Sequence, residues 1–146
     1  MPIQDTFLPD ASLVYRRFSG HVTMEELGRS TAEIHQNPAF VPGTHSVIDM
    51  LDMESFDIGF DQMQAFSRLT RERHGARGAA FCMFAIYDSD PGRWLSDMFI
   101  ALAEMDPGMV TVEVVSGFHE LLAVLDLPED MITLFPKDRQ DDAHLG

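Results

Sequence analysis

The stretch His45-Ser-Val-Ile-Asp-Met-Leu-Asp-Met53 decides the architecture. An apolar strand, Val47 to Leu51, runs into carboxylates, and a helical pattern follows from about Gly59 to Arg73. The arrangement recurs. Phe81 to Tyr87 is a second apolar strand that ends in acid and leads into a helix, and Met109 to Val115 is a third. Strands alternating with helical periodicity define a layered α/β domain. The unbroken apolar character of Val47 to Leu51 suits a central parallel strand covered on both faces.

Upstream, Ile3 to Leu8, the turn Pro9-Asp10-Ala11 and Ser12 to Phe18 read as a β-hairpin that Gly20 ends, with Arg16 and Arg17 marking a wet face. Thr23-Met-Glu-Glu26 has the form of a capping box, and Leu27, Thr31 and Ile34 share the inner face of the helix it opens. Asn37-Pro38 ends that helix. Met63, Phe66 and Leu69 supply the inner stripe of the next. Asp90-Pro91 starts a third, with Trp94, Leu95, Met98, Leu102 and Met105 as its buried face. Asp106-Pro107-Gly108 closes it. Ser116 is placed to cap a last helix carrying Phe118, Leu121, Leu122 and Leu125. The expected fold is α/β: a mixed, mostly parallel five-stranded sheet with an N-terminal antiparallel hairpin and four helices. Residues 1–128 form the domain. Residues 129–146 form a C-terminal extension, partly flexible, in which Met131, Ile132, Leu134 and Phe135 dock on the body or on a second subunit. Lys137 to Gly146 is a polar tail.

The totals narrow the function. The chain has 146 residues, enough for one domain with a real core. With 24 acids against 10 bases, the net charge is −14. Nucleic acid is excluded as a partner, because phosphate contacts need clustered Lys and Arg. A basic protein partner is favoured. Cys82 is the only cysteine, so no intrachain disulfide forms, and its apolar setting marks a buried thiol. The N-terminus lacks the basic region of a secretory signal, and no window approaches roughly 18 uncharged apolar residues. These features point to a cytoplasmic protein without a membrane span.

Phe18-Ser-Gly-His-Val-Thr-Met-Glu-Glu26 resembles the opening of SpoIIAA-like proteins, the fold group that holds the STAS domains of anti-sigma-factor antagonists and is related in shape to Sec14-type lipid carriers. Val47-Ile-Asp-Met-Leu-Asp52 is similar to that family's strand ending in an acidic loop. Val112-Glu-Val-Val-Ser-Gly-Phe-His-Glu-Leu-Leu122 is similar to its last strand and helix. The resemblance covers roughly residues 3 to 127 and rests on the order of these motifs. It implies a regulatory or protein-interaction module. In the sigma-regulating members a serine in an Asp-Ser-Ser-Gly-like turn is phosphorylated. Here the segment reads Asp52-Met-Glu-Ser55-Phe-Asp57-Ile-Gly59, which departs from that pattern, and a phosphate on Ser55 would meet Glu54 and Asp57. The match is closer to the uncharacterised SpoIIAA-like branch.

Loops after parallel strands share one sheet edge, where ligands bind. Asp49, Asp52, Glu54 and Asp57 follow one strand, and Asp88 and Asp90 the next. His21 and His119 also follow strands, whereas His45 and His74 belong at the opposite edge. The candidate ligand edge is therefore Asp49, Asp52, Asp57, Asp88, His21 and His119. Converging carboxylates could hold Mg²⁺, and two imidazoles with a carboxylate could hold zinc. The plainer reading is that the acids cap helices or face water and the histidines are solvated. No ligand pair has the spacing of a dedicated metal motif, so no metal or cofactor is assigned. Arg68, Arg71 and Arg77, with Arg73 and His74, either complement the end of their helix or form a docking patch for an acidic partner. Met53, Met63, Met83, Phe84, Met98 and Phe99 either fill an ordinary core or line an adaptable cavity. No phosphate loop, dinucleotide fingerprint or nucleophile elbow occurs, and no catalytic residue is assigned. Three readings follow: a non-enzymatic interaction module, a carrier of a small apolar or lipid-like ligand, and a metal-dependent phosphoryl enzyme using Asp49, Asp52 and Asp88. The carrier requires an enclosed cavity of at least roughly 300 Å³. Leftover apolar residues, Phe135 and Phe99, make a homodimer an option.

Overall fold

Strand β1 (Ile3–Leu8) pairs antiparallel with β2 (Leu13–Thr23) across a 3-10 turn at Pro9–Ala11, where the proline presets the turn and Ser12 takes a left-handed conformation at φ 55°. From there the chain alternates: α1 (Met24–Gln36), β3 (His45–Asp57), α2 (Phe60–Arg77), β4 (Phe81–Ile86), α3 (Asp90–Met105), β5 (Val110–Val114) and α4 (Phe118–Val124). Two further 3-10 turns, Glu129–Leu134 and Lys137–Arg139, complete it. This computed structural model describes residues 2–77, 81–105 and 110–141, with the side chains of residues 70, 71 and 73–77 outside the description. The expected closure of α3 at Asp106-Pro107-Gly108 lies outside the described residues. Among the described residues no helix is long and apolar enough to cross a membrane.

The five strands lie in chain order, β1 antiparallel and the rest parallel, as the α/β reading requires. When parallel strands follow one another in order, crossovers of one hand lay every connecting helix on the same face. That is what the core shows. Leu27 of α1, Met63 of α2 and Leu95, Phe99 and Leu102 of α3 pack with Phe18, Val22, Ile48, Met50 and Ala85 of the sheet. Helix α4 has no strand to return to and folds onto the opposite face. There Phe118, Leu121 and Leu122 meet Leu13, Tyr15, Val47, Phe84 and Ile86. Phe135 lies in the same cluster, so this chain buries it itself, and Phe99 is buried under α3.

Several local expectations need correction. Gly20 does not end β2. It adopts φ 62° inside the strand, which runs on to Thr23 beside β3. Strand β3 does not stop at Leu51 but continues through the acidic segment to Asp57. Parallel pairing of Ser19–Thr23 with Asp52–Asp57 holds that segment extended, so its acids Asp52, Glu54 and Asp57 are strand residues rather than loop residues. Arg16 and Arg17 do not share a wet face, because neighbouring strand residues point to opposite sides. Arg16 is buried on the helical side, where it donates to Asp5 (2.9 Å) and to Ser30 Oγ (2.7 Å). Thr23 caps α1 by accepting from the Glu26 amide at 3.3 Å, but Glu26 Oε2 is buried without a partner, leaving half of the capping box unformed. Ser116 does not cap α4. Gly117 occupies that position, and Ser116 donates to the Glu120 carboxylate instead. Leu69 of α2 is exposed. Cys82 is only half-buried, and burial is enough to push its thiol pKa up.

Helix α3 is rotated from the expected face. Gly92, Leu95, Ser96, Phe99 and Leu102 point inward, while Trp94 and Met105 are exposed. The small residues mark the side that approaches the sheet. A Cβ on Gly92 would lie 2.4 Å from Tyr87 Cβ and 3.3 Å from Met50 Cβ. Gly92→Ala should therefore destabilise the protein by about 1–3 kcal/mol through overpacking. Urea denaturation measures this, and an unchanged midpoint would contradict the close approach.

Candidate functional site

The middle of β3, where its pairing with β4 ends, carries a dense polar site. Asp49 is fully buried on the α4 side of the sheet. Its Oδ2 accepts from the Tyr15 hydroxyl and from Arg139 Nε (2.8 Å), and its Oδ1 accepts from the Leu51 amide (3.0 Å). Asp52 lies beside it. Its Oδ2 accepts from Arg139 Nη2 at 2.7 Å and from Arg17 Nη2 and Nε at 2.7 and 3.1 Å. Arg17 closes the cluster by donating to Asp138 at 2.7 and 3.3 Å.

Residues 49 and 52 are an odd number apart, so an ideal strand would send them to opposite faces. A register shift prevents this: Arg17 pairs with Asp49 while Ser19 pairs with Asp52, so β3 holds an extra residue. Such a bulge reverses the alternation beyond it. Met50 and Met53 both reach the helical core for the same reason. The bulge thus brings two carboxylates onto one face, and Tyr15 and Arg17, two apart on regular β2, meet them there.

Nothing in the local sequence around Arg139 marks it as a site residue. Hydropathy places it in a polar tail, yet it is 5% exposed. Phe135 sets its position by packing on Phe118 and Tyr15, with ring centroids 4.7 and 5.8 Å apart. Burial acts to lower the Arg139 pKa, but the hydrogen bond and charge of Asp49 outweigh it and the net shift is upward. Burial, reinforced by Asp49, raises the Tyr15 pKa far above the usual phenol value, so this hydroxyl stays a donor. The hydrogen bond from Arg17 lowers the Asp138 pKa. Its contribution to stability is therefore present above the ordinary value of 3.8 and is lost as pH falls below it. Asp138 is 54% exposed, so that contribution is small.

The other candidates do not join this cluster. Strand β4 pairs with β3 only as far as Asp49, level with Ile86, and β3 then runs on alone with β2. Asp57 is exposed at its far end, and Asp88 is exposed in the bend after β4. His21 is exposed and bonds Ser55 Oγ at 2.7 Å through Nδ1. His119 contacts the Gln140 carbonyl at 3.0 Å and Glu129 at 3.4 Å. Asp90 pairs with Arg93 at 3.1 Å in the first turn of α3. Arg68 is exposed on α2, while the side chains of Arg71, Arg73, His74 and Arg77 lie outside the described residues. Among the described residues no group of three or more His, Cys, Asp or Glu could hold a metal ion.

Between the sheet and the helices, a cavity of about 40 Å³ is lined by Met83, Phe99, Phe66 and Phe81 and by the buried hydroxyls of Thr31 and Ser46. It has room for water-sized occupants. The chain matches no family model and no curated protein.

Two outcomes follow. Asp49→Ala removes the partner of a buried guanidinium and should cost about 3–5 kcal/mol. Urea titration tests this, and a loss below 1 kcal/mol would show that the pair is solvated. His45 Nδ1 accepts from the Cys82 amide at 2.9 Å, and burial lowers its pKa. The unfolded chain protonates His45 near 6.5, before the folded chain does. Stability from this residue is full above 6.5 and declines as pH falls through the lower folded-state value. Urea midpoints from pH 7.5 to 5 should fall more steeply for the natural chain than for His45→Asn.

Proposed function

We propose that the chain is a regulatory protein-interaction module of SpoIIAA-like fold, non-enzymatic and cytoplasmic, that docks a basic partner on the outer flank of α3. The carrying observation is the exposure of the chain's one tryptophan. Trp94 is 54% exposed and Met105 60% exposed. With the partly buried Met98 and Ala101 they follow helical spacing along one stripe. Exposed Asp97 and Glu104 border it. A tryptophan and methionines rimmed by acids make an apolar anchor surrounded by charge, as at the energetic centre of many interfaces. The net charge of −14 selects a partner whose surface carries Lys or Arg around an apolar contact, and opposes self-association. The family part of this reading is supported by the order of the motifs at Phe18–Glu26, Val47–Asp52 and Val112–Leu122. The non-enzymatic part is supported by the engagement of Asp49 and Asp52 with the chain's own arginines.

Trp94→Glu tests the face. As a surface change it should alter stability by no more than about 0.5 kcal/mol. Affinity capture with the natural chain should retain basic proteins that the variant loses. Identical capture by both, or a measured turnover that needs Asp49 or Asp52, would overturn the reading.

A further inference from the structure

The guanidinium of Arg139 fits its site as a ligand fits a receptor. Its Nε binds Asp49 and its Nη2 binds Asp52, 2.8 and 2.7 Å away. A planar fork can bridge two carboxylates in this way, and a lysine ammonium cannot hold both with the same geometry. Four residues earlier, Phe135 is 2% exposed against Tyr15 and Phe118. The receptor therefore has two subsites on one sheet face, an aromatic floor and a paired-carboxylate fork.

Apart from these two anchors the segment is held by half-buried or exposed contacts: Met131, Ile132 and Leu134 pack partly against the α4-side core, and Asp138 pairs with Arg17. The turn Glu129–Leu134 has no buried residue, and in Lys137–Arg139 only Arg139 is buried. The link to α4 passes through Asp126, a non-glycine residue at φ 55°. Segments with few buried contacts open locally at low cost compared with global unfolding. When this segment lifts, Asp49 keeps the Tyr15 hydroxyl and the Leu51 amide as donors, and Asp52, already 38% exposed, keeps Arg17, so neither carboxylate is left without a partner.

We propose that this face is a binding site for an aromatic-x-x-x-arginine segment of a partner protein, and that the chain's own Phe135–Arg139 segment occupies it as an intramolecular competitor. Binding in trans displaces residues 129–141. The proposal concerns the sheet face opposite α3 and does not depend on the docking reading above.

The probe is a capped peptide of residues 134–141, Leu-Phe-Pro-Lys-Asp-Arg-Gln-Asp, with a control in which Arg139 is replaced by lysine. Full-length Phe135→Ala/Arg139→Ala, freed of its competitor, should bind the arginine peptide at least tenfold more tightly than the natural chain does. It should bind the lysine peptide at least tenfold more weakly than the arginine peptide. In the natural chain, excess arginine peptide should raise hydrogen exchange across 129–141. If circular dichroism shows the double variant unfolded, full-length Arg139→Lys should give the same ranking of peptides. Equal affinity for the two peptides, no binding to either variant, or binding that leaves exchange at 129–141 unchanged would overturn the proposal.

Discussion

A carboxylate with no exposed surface constrains everything on one side of this sheet. Asp49 sits at the centre of β3 with hydrocarbon around it. An isolated charge there would cost far more than a small domain can bear. It is tolerated because a phenol, an amide and a guanidinium all donate to it. Those donors come from β2, β3 and the last turn, so one group ties together residues widely separated along the chain. The bulge in β3, the placing of Tyr15 and the return of the C-terminal segment are all conditions for its burial.

The two faces of the sheet are stabilised differently. Three crossover helices cover one face with close hydrocarbon contact, tight enough at Gly92 that a methyl group meets Tyr87 and Met50. The other face has one short helix and a run of 3-10 turns anchored at Phe135 and Arg139. Area-driven packing is uniform and hard to open piecemeal. On this second face the segment is fixed mainly at two points, one aromatic ring and one guanidinium, with Met131, Ile132 and Leu134 packed only partly beside them. The helices of the first face also carry, on their outside, the exposed stripe of α3.

Much of the fold was legible in the chain. Apolar runs of strand length located β4 and the core of β3, helical spacing located α1 and the inner residues of α4, and Pro9-Asp10-Ala11 announced the hairpin. Misreadings arose where a neighbour decided the outcome. Gly20 reads as a terminator in isolation, yet β2 continues because β3 offers it partners. Asp52 to Asp57 reads as a loop by composition, yet the same pairing holds it extended. Trp94 reads as core by hydrophobicity, yet Gly92 and Ser96 turn another side of α3 inward.

Residue order alone determined the alternation of strands and helices, the parallel sheet with its antiparallel edge, and a net charge of −14, because periodicity and charge are local properties of the chain. Tertiary structure alone decided that Asp49 and Asp52 share a face, that Arg139 leaves its polar tail to meet them, and that Trp94 faces solvent. Each of these depends on register, bulge or helix rotation, which are set by contacts between residues far apart in sequence.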